Sequence, residues 1–262
     1  MKKFFIGILA LAVSGTAFLT PCQAASKPYH WYCVHAKGHV QPSVGSDIAF
    51  VEELGGYYID RTHADYNAED KVVYLTFDAG YENGNVASIL DILKEKAVPA
   101  AFFVLGNLIT HDTALVKRME EEGHLVCNHT VRHKNMSAVG EEAFLAELCE
   151  LEELYKNATE KEMPKYYRPP EGTFSRENLE VAQKNGYKTI FWSFAYHDWD
   201  NGKQMSPERA KQIVLDNIHN GEVMLLHPTS QTNAAILGEV IDVLLEQGFR
   251  FGTLDELTEH TP

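Results

Sequence analysis

Six polar side chains of this chain each follow a short apolar run. Asp78 ends Val72–Phe77, His129 and His133 follow His124–Cys127, and Arg168 follows Tyr166-Tyr167. Asp198 comes after Thr189–Ser193, and His227 closes Val223–Leu226. Carboxylates and imidazoles bind cations and move protons near neutral pH. In His129-Thr130-Val131-Arg132-His133 two imidazoles stand four residues apart. On a helical turn that spacing puts both on one side, where they can hold one metal ion; in a capped loop it leaves two surface histidines. Arg168-Pro169-Pro170 reads as a rigid turn, because proline restrains itself and its predecessor. Asp198-Trp199 and Leu225-Leu226-His227 are weak signals singly, an acid in a polar loop and a satisfied histidine at a strand end.

The elements that carry these residues alternate. Val72–Phe77 reads as a strand, and Val86, Ile89, Leu90 and Leu93 have helical spacing within Val86–Lys96. Strands are expected at Ala101–Leu105, His124–Cys127, Tyr166-Tyr167, Thr189–Ser193, Val223–Leu226 and Phe249–Phe251. Helices are expected at Ala114–Glu122, Glu141–Asn157, Arg176–Asn185, Pro207–Ile218 and Ala234–Gln247. Regular alternation implies a parallel sheet, and about seven units can close into an α/β fold, a distorted (β/α) barrel. The polar residues then fall at carboxyl ends of strands, the rim where such barrels do chemistry. Residues 26–70 do not fit the alternation and are expected to form an N-terminal extension packed on the barrel, with the catalytic domain spanning 71–262.

Composition sets the outer limits. The chain has 262 residues and a net charge of −14, which disfavours a nucleic-acid partner whose phosphates must be met by Lys and Arg. Lys2 and Lys3 precede an apolar run Phe4–Leu19, and Ala24-Ala25 supply small residues for cleavage. Residues 1–25 therefore read as a signal peptide, and the chain as one exported across the membrane, to the extracellular side or the cell wall. An uncleaved anchor is the alternative; after cleavage no membrane span is expected. Cys33, Cys127 and Cys149 are then an odd set, expected to be buried, unbridged thiols.

Taken in order, Thr76-Phe77-Asp78, His129-x-x-x-His133, Arg168-Pro169-Pro170, Asp198-Trp199 and Leu225-x-His227 resemble the five motifs of the polysaccharide deacetylase family, carbohydrate esterase family 4, over roughly residues 70–257. Phe77–Gly84 and Gly38-His39-Val40-Gln41-Pro42 are similar to the delta-lactam-biosynthetic de-N-acetylases of endospore formers. The resemblance implies a hydrolase that removes N-acetyl groups from peptidoglycan glycan strands, N-acetylmuramic acid of spore cortex first among them. It also implies a divalent metal ion, zinc by family habit, on His129 and His133, able to bring the pKa of water towards about 7. In that scheme Asp78 is the base, Arg168 orients it, and His227, held cationic by Asp198, is the general acid. The Glu171 backbone N–H, after Pro170, would serve the oxyanion, while Trp199 and Leu225 would wall the acetyl pocket. No protein partner is implied.

Two departures bear on this. Ala79 stands where most of the family carries a second Asp, the third metal ligand. Its place would fall to water or substrate oxygen, to Glu82 or Asn83, or the metal would be held loosely. Glu171 stands where some relatives have Arg. An acid there is a poor neighbour for a free lactyl carboxylate, and Arg132, Lys134 or Arg176 would have to compensate. Rival readings are a deacetylase of N-acetylglucosamine in peptidoglycan or chitin oligomers, and an inactive wall-glycan binder.

Overall fold

The computed structural model describes residues 27–34 and 36–260. The expected signal peptide and Cys22 lie outside the described residues. Eight strands share one sheet: β1 (Gly56–Tyr57), β2 (Lys71–Ala79), β3 (Ala101–Val104), β4 (Leu125–Asn128), β5 (Tyr166–Tyr167), β6 (Lys188–Ile190), β7 (Glu222–Leu226) and β8 (Phe249–Phe251). Their order is β7-β2-β3-β4-β5-β6-β1, with β8 paired to β2, and every pairing is parallel. Beyond β6 the chain bridges Phe194 to Met224 of β7, drawing the two ends of the curled sheet together. The result is the distorted (β/α) barrel expected from the alternation.

Helices follow the strands: α1 (Asn85–Lys96), α2 (Gly106–His111), α3 (Thr113–Glu121), α4 (Glu141–Thr159), α5 (Arg176–Lys184), α6 (Pro207–Asn217), α7 (Gln231–Glu246) and α8 (Leu254–His260). Strand parity sorts the core into two layers, since successive side chains point to opposite faces. Val73, Leu75, Phe77 and Ala79 of β2 pack outward among Val86, Ile89 and Leu90 of α1 and Ile236, Leu237 and Val240 of α7. Val72 and Tyr74 face inward with Phe103, Ile190 and Val223, and Leu254 and Leu257 of α8 pack with them. Both faces of β2 are buried, which is why it reads as a continuous apolar run.

Residues 27–70 do more than cover the barrel. Gly56–Tyr57 adds the last strand of the sheet, and Tyr29–His30 pairs antiparallel with Thr173–Phe174. Gln41 Nε2 donates to the carbonyls of Asp60 at 2.7 Å and Asn220 at 2.9 Å, tying this segment to the start of β7. No helix among the described residues is long and apolar enough to cross a membrane. The three described cysteines are free thiols; Cys127 is buried, but Cys33 is half-buried and Cys149 exposed on the outer side of α4, so burial holds for one of the three.

Candidate active site

Asp78 is the penultimate residue of β2 and shares the inward parity of Tyr74 and Thr76. There it meets Arg168, the first residue after β5, whose Nη1 donates to Asp78 Oδ1 at 2.8 Å. The guanidinium is wholly buried and also donates to Ile190 O at 3.1 Å, Thr76 Oγ1 at 2.9 Å and Phe191 O at 3.2 Å. It lies 4.1 Å over the Phe103 ring. Burial by itself raises the Asp78 carboxyl, but its neighbours His129, Arg168 and His227 outweigh it and hold it below the usual carboxylate range.

His129 and His133 come from the loop after β4. The expected helical turn is absent: Thr130 and His133 both take positive φ, 69° and 53°. Side chains hold this loop instead, Asn128 Oδ1 accepting from Thr130 N at 2.9 Å and Thr130 Oγ1 from His133 N at 3.0 Å. The two rings still meet, with centroids 5.0 Å apart. His129 Nδ1 donates to Arg168 O at 2.9 Å, which leaves Nε2 as the lone-pair nitrogen, 3.5 Å from Asp78 Oδ2. Burial, helped by His133 and Arg168 and opposed by Asp78, pushes the His129 imidazole down to about 4. A neutral ring with its free nitrogen aimed at a carboxylate is in the state a divalent cation such as zinc needs of a ligand. The pair fits such an ion as a two-imidazole donor set. Among the described residues no group of three or more His, Cys, Asp or Glu side chains could hold a metal. Glu82 and Asn83 are committed elsewhere: Glu82 caps α1 at the N–H groups of Gly84 and Ala87, and Asn83 Nδ2 donates to Thr229 O at 2.8 Å. Ala79 is fully buried on the outer face.

On the opposite wall, Asp198 Oδ1 accepts from His227 Nδ1 at 2.8 Å, and Oδ2 accepts from His227 N at 2.7 Å. Burial disfavours the imidazolium, yet the Asp198 bond and the Asp198 and Asp78 charges carry the His227 pKa above its ordinary value. Sequence reasoning missed two residues that hold this pair. Asn233, buried in the first turn of α7, donates to Asp198 Oδ2 at 2.6 Å and to His227 O at 3.0 Å, and its own Oδ1 accepts from Tyr196. Gln204 Nε2 donates to Asp198 O at 2.8 Å. Nothing in their local pattern distinguishes them from ordinary helix-start and loop amides.

These groups open into one cleft of about 680 Å3, lined by Asp78, His133, Glu171, Leu225, His227 and a set of aromatic residues. Trp199 lines it while remaining 59% exposed and stacked on His197 at 4.6 Å, and Trp192 and Tyr196 complete the aromatic wall. His197, Trp192 and Tyr196 were not anticipated, although the run Phe191-Trp192-Ser193-Phe194-Ala195-Tyr196 is visibly rich in rings. Pro170 is buried and outside the lining, where it starts the short turn 170–172 that presents Glu171 at φ 57°. Gly172 follows at φ 62°, and a Cβ there would come within 2.8 Å of the Trp192 ring. Arg132 pairs with Glu147 and Glu150, Lys134 with Glu147, and Arg176 lies over Phe50, so none of the three cations lines the cleft.

The polysaccharide deacetylase family model matches residues 65–190. The chain is 35% identical over 234 residues to the peptidoglycan-N-acetylmuramic acid deacetylase PdaA of Bacillus subtilis, covering 88% of this chain and 86% of the relative. The solved structure of PdaA, described as a family 4 carbohydrate esterase, superposes with a TM-score of 0.83 at 33% identity, over 90% of this chain and 99% of that one. A family 4 carbohydrate esterase from Bacillus anthracis gives a TM-score of 0.71 at 37% identity, over 89% and 97%. The chain therefore belongs to the polysaccharide deacetylases, carbohydrate esterase family 4, enzymes that act on N-acetyl groups.

Proposed function

We propose that this enzyme hydrolyses the N-acetyl group of N-acetylmuramic acid in peptidoglycan, outside the cytoplasmic membrane, as a step towards the delta-lactam of spore cortex. The reading rests on one observation above the rest: Asp78 and His227 line a single aromatic cleft, each paired from behind with a buried partner, Arg168 and Asp198. The likeness to PdaA over most of both chains supports the muramic substrate.

Amide hydrolysis forms a C–O bond to water, breaks the C–N bond and moves one proton from the water to the departing nitrogen. Asp78 accepts that proton; Arg168 fixes Oδ1, so Oδ2, on the His129 side, is the atom left for it. A carboxylate held below its usual range is a weak base for bulk water. A divalent cation held by His129 and His133, zinc by the donor type, would acidify the water and polarise the acetyl carbonyl. His227 supplies the proton to nitrogen: Nδ1 is engaged by Asp198, which leaves Nε2–H as the donor. The Glu171 N–H supports the developing oxyanion, and Trp199 and Leu225 shut the acetyl methyl off from water.

The test is acetate release, with mass spectrometry of the sugars, from defined glycan strands carrying acetylated muramic and glucosamine residues. Deacetylated muramic residues are the expected product. Acetate from chitin oligomers but not from muramic residues would reject the muramic assignment, and no acetate from a folded, metal-supplied protein would reject the catalytic one.

A further inference from the structure

We infer that Trp31, in the N-terminal segment outside the matched span 65–190, is a positioning residue for the acetyl site: it holds the turn that carries the Glu171 N–H against the Trp192 wall. The role rests on the hydrolase read above. Two adjacent residues of that turn, Glu171 and Gly172, stand at φ 57° and 62°. A left-handed backbone costs free energy, above all at a residue with a Cβ, and it persists only where its surroundings fix it. Within the turn, Gly172 N donates to Pro169 O at 3.0 Å and Thr173 N to Pro170 O. The next residues, Thr173–Phe174, lie outside the main sheet and pair with Tyr29–His30. His30 Nδ1 and Thr173 Oγ1 add a side-chain bond at 3.1 Å. Support for the turn therefore reaches it from the N-terminal extension.

Trp31 meets the turn and the wall at once. Its backbone N donates to Gly172 O at 2.8 Å, and its indole Nε1 donates to Trp192 O at 2.8 Å. Cys33 Sγ reaches the same Trp192 carbonyl at 3.4 Å. Gly172 is enclosed between the two tryptophans: a Cβ there would lie 3.0 Å from Trp31 Cβ and 2.8 Å from the Trp192 ring. The Trp31 side chain is buried, stacked on Phe191 with centroids 4.3 Å apart and tilted against Tyr58 at 4.8 Å, which fixes its orientation. Phe191 O in turn accepts from Arg168 Nη2 at 3.2 Å, and that guanidinium fixes Asp78. One residue of the extension thus ties the oxyanion turn, the aromatic wall and the backing of the base into a unit. A donor to the oxyanion acts only where charge develops, and a displacement of about 1 Å costs up to about 10²-fold in rate. Loss of the indole should therefore slow the chemical step more than it weakens binding of the substrate.

Two substitutions grade the loss. Trp31→Phe keeps a ring on Phe191 and the backbone bond to Gly172 but deletes the Nε1 donor, and Trp31→Leu deletes the ring stack as well. Ile48→Ala, which empties a buried place in the same apolar cluster, is the control for lost stability alone. Acetate release from glycan strands is measured on the metal-supplied proteins, and amide hydrogen exchange on the same samples by mass spectrometry. Expected is a fall in kcat of about fivefold for Trp31→Phe and about 10–10²-fold for Trp31→Leu, with KM within about threefold of wild type. Exchange at residues 171–174 should quicken while α7 keeps its protection, and Ile48→Ala should hold kcat within about twofold. If Trp31→Leu does not fold, Trp31→Phe decides alone. A folded Trp31 variant with kcat within about twofold of wild type, or with exchange at 171–174 no faster, overturns the inference, as does an equal fall in kcat for Ile48→Ala. Wild-type protein that releases no acetate from any glycan sinks the hydrolase reading instead, and the exchange rates at 171–174 then decide whether Trp31 holds the turn.

Discussion

Arg168→Met removes the guanidinium while keeping a side chain of similar reach. In the wild type that group is wholly buried and serves four acceptors, Asp78 Oδ1, Thr76 Oγ1, Ile190 O and Phe191 O. Its loss strands the Asp78 carboxylate, only 11% exposed, without its cation. Breaking a buried pair from one side costs about 3–5 kcal/mol, which for a chain of this size lowers Tm by roughly 10 °C. Asp78→Asn should cost a comparable amount, because it strands the guanidinium instead. The double variant carries no unpaired charge, so it should lose at least about 2 kcal/mol less than the sum of the two single losses. The assay is chemical denaturation of all four proteins in chelator, so that no cation substitutes for the guanidinium beside Asp78. A loss under about 1 kcal/mol for Arg168→Met, or strict additivity, would show that the pair does not hold the rim together.

Asp198→Asn should lower kcat by about 10²–10⁴, since the amide no longer fixes the His227 tautomer or favours its charged form; because Asp198 raises the His227 pKa, the alkaline limb of the rate profile should also move to lower pH. The His227 shift has a stability sign too. Its folded pKa lies above the ordinary 6.5, so the pair stabilises the fold below that pH and the contribution is lost as pH rises through the folded value, a loss that Asp198→Asn should abolish in Tm–pH curves. Gly172→Ala should cost roughly 1–3 kcal/mol for its positive φ, and its Cβ would press on Trp192, raising KM beyond what the stability loss explains. Chelator treatment should stop acetate release and leave the far-ultraviolet circular dichroism unchanged, because the packed layers of the barrel contain no proposed metal ligand; recovery on adding zinc or another divalent ion completes the check.

Much of this was legible because two rules act at once on the sequence. Parallel strands buried on both faces read as apolar runs, and a polar residue at the end of such a run falls on the barrel rim. Asp78, His129, Arg168, Asp198 and His227 were found that way. What escaped was conformation set by side chains rather than by periodicity. The histidine pair has the spacing of a helical turn, yet Asn128 and Thr130 offer the backbone N–H groups local partners, and positive φ at Thr130 and His133 brings the rings together within a loop. Short elements escaped for a different reason: Gly56–Tyr57 and Gly106–His111 are too brief for any period to show. Asn233 shows its role only once α7 is docked beside Asp198.

Ala79 is where the two rules meet. Adjacent strand residues cannot both face the lumen, so once Asp78 points to Arg168, position 79 must point to the helices. The side chain there is fully buried among Phe77, Leu108 and their neighbours, and its carbonyl accepts from Leu105 N at 3.2 Å, which continues the pairing of β2 with β3 to the very end of the strand. A carboxylate on that face would sit in an apolar layer without a partner, at a cost of several kcal/mol. For position 79 to serve a cation at the rim, β2 would have to leave the sheet one residue earlier. This chain keeps the last residue of the strand in its core, and with Glu82 and Asn83 engaged at the start of α1 and at Thr229, none of positions 79, 82 and 83 offers a free donor to an ion held by His129 and His133.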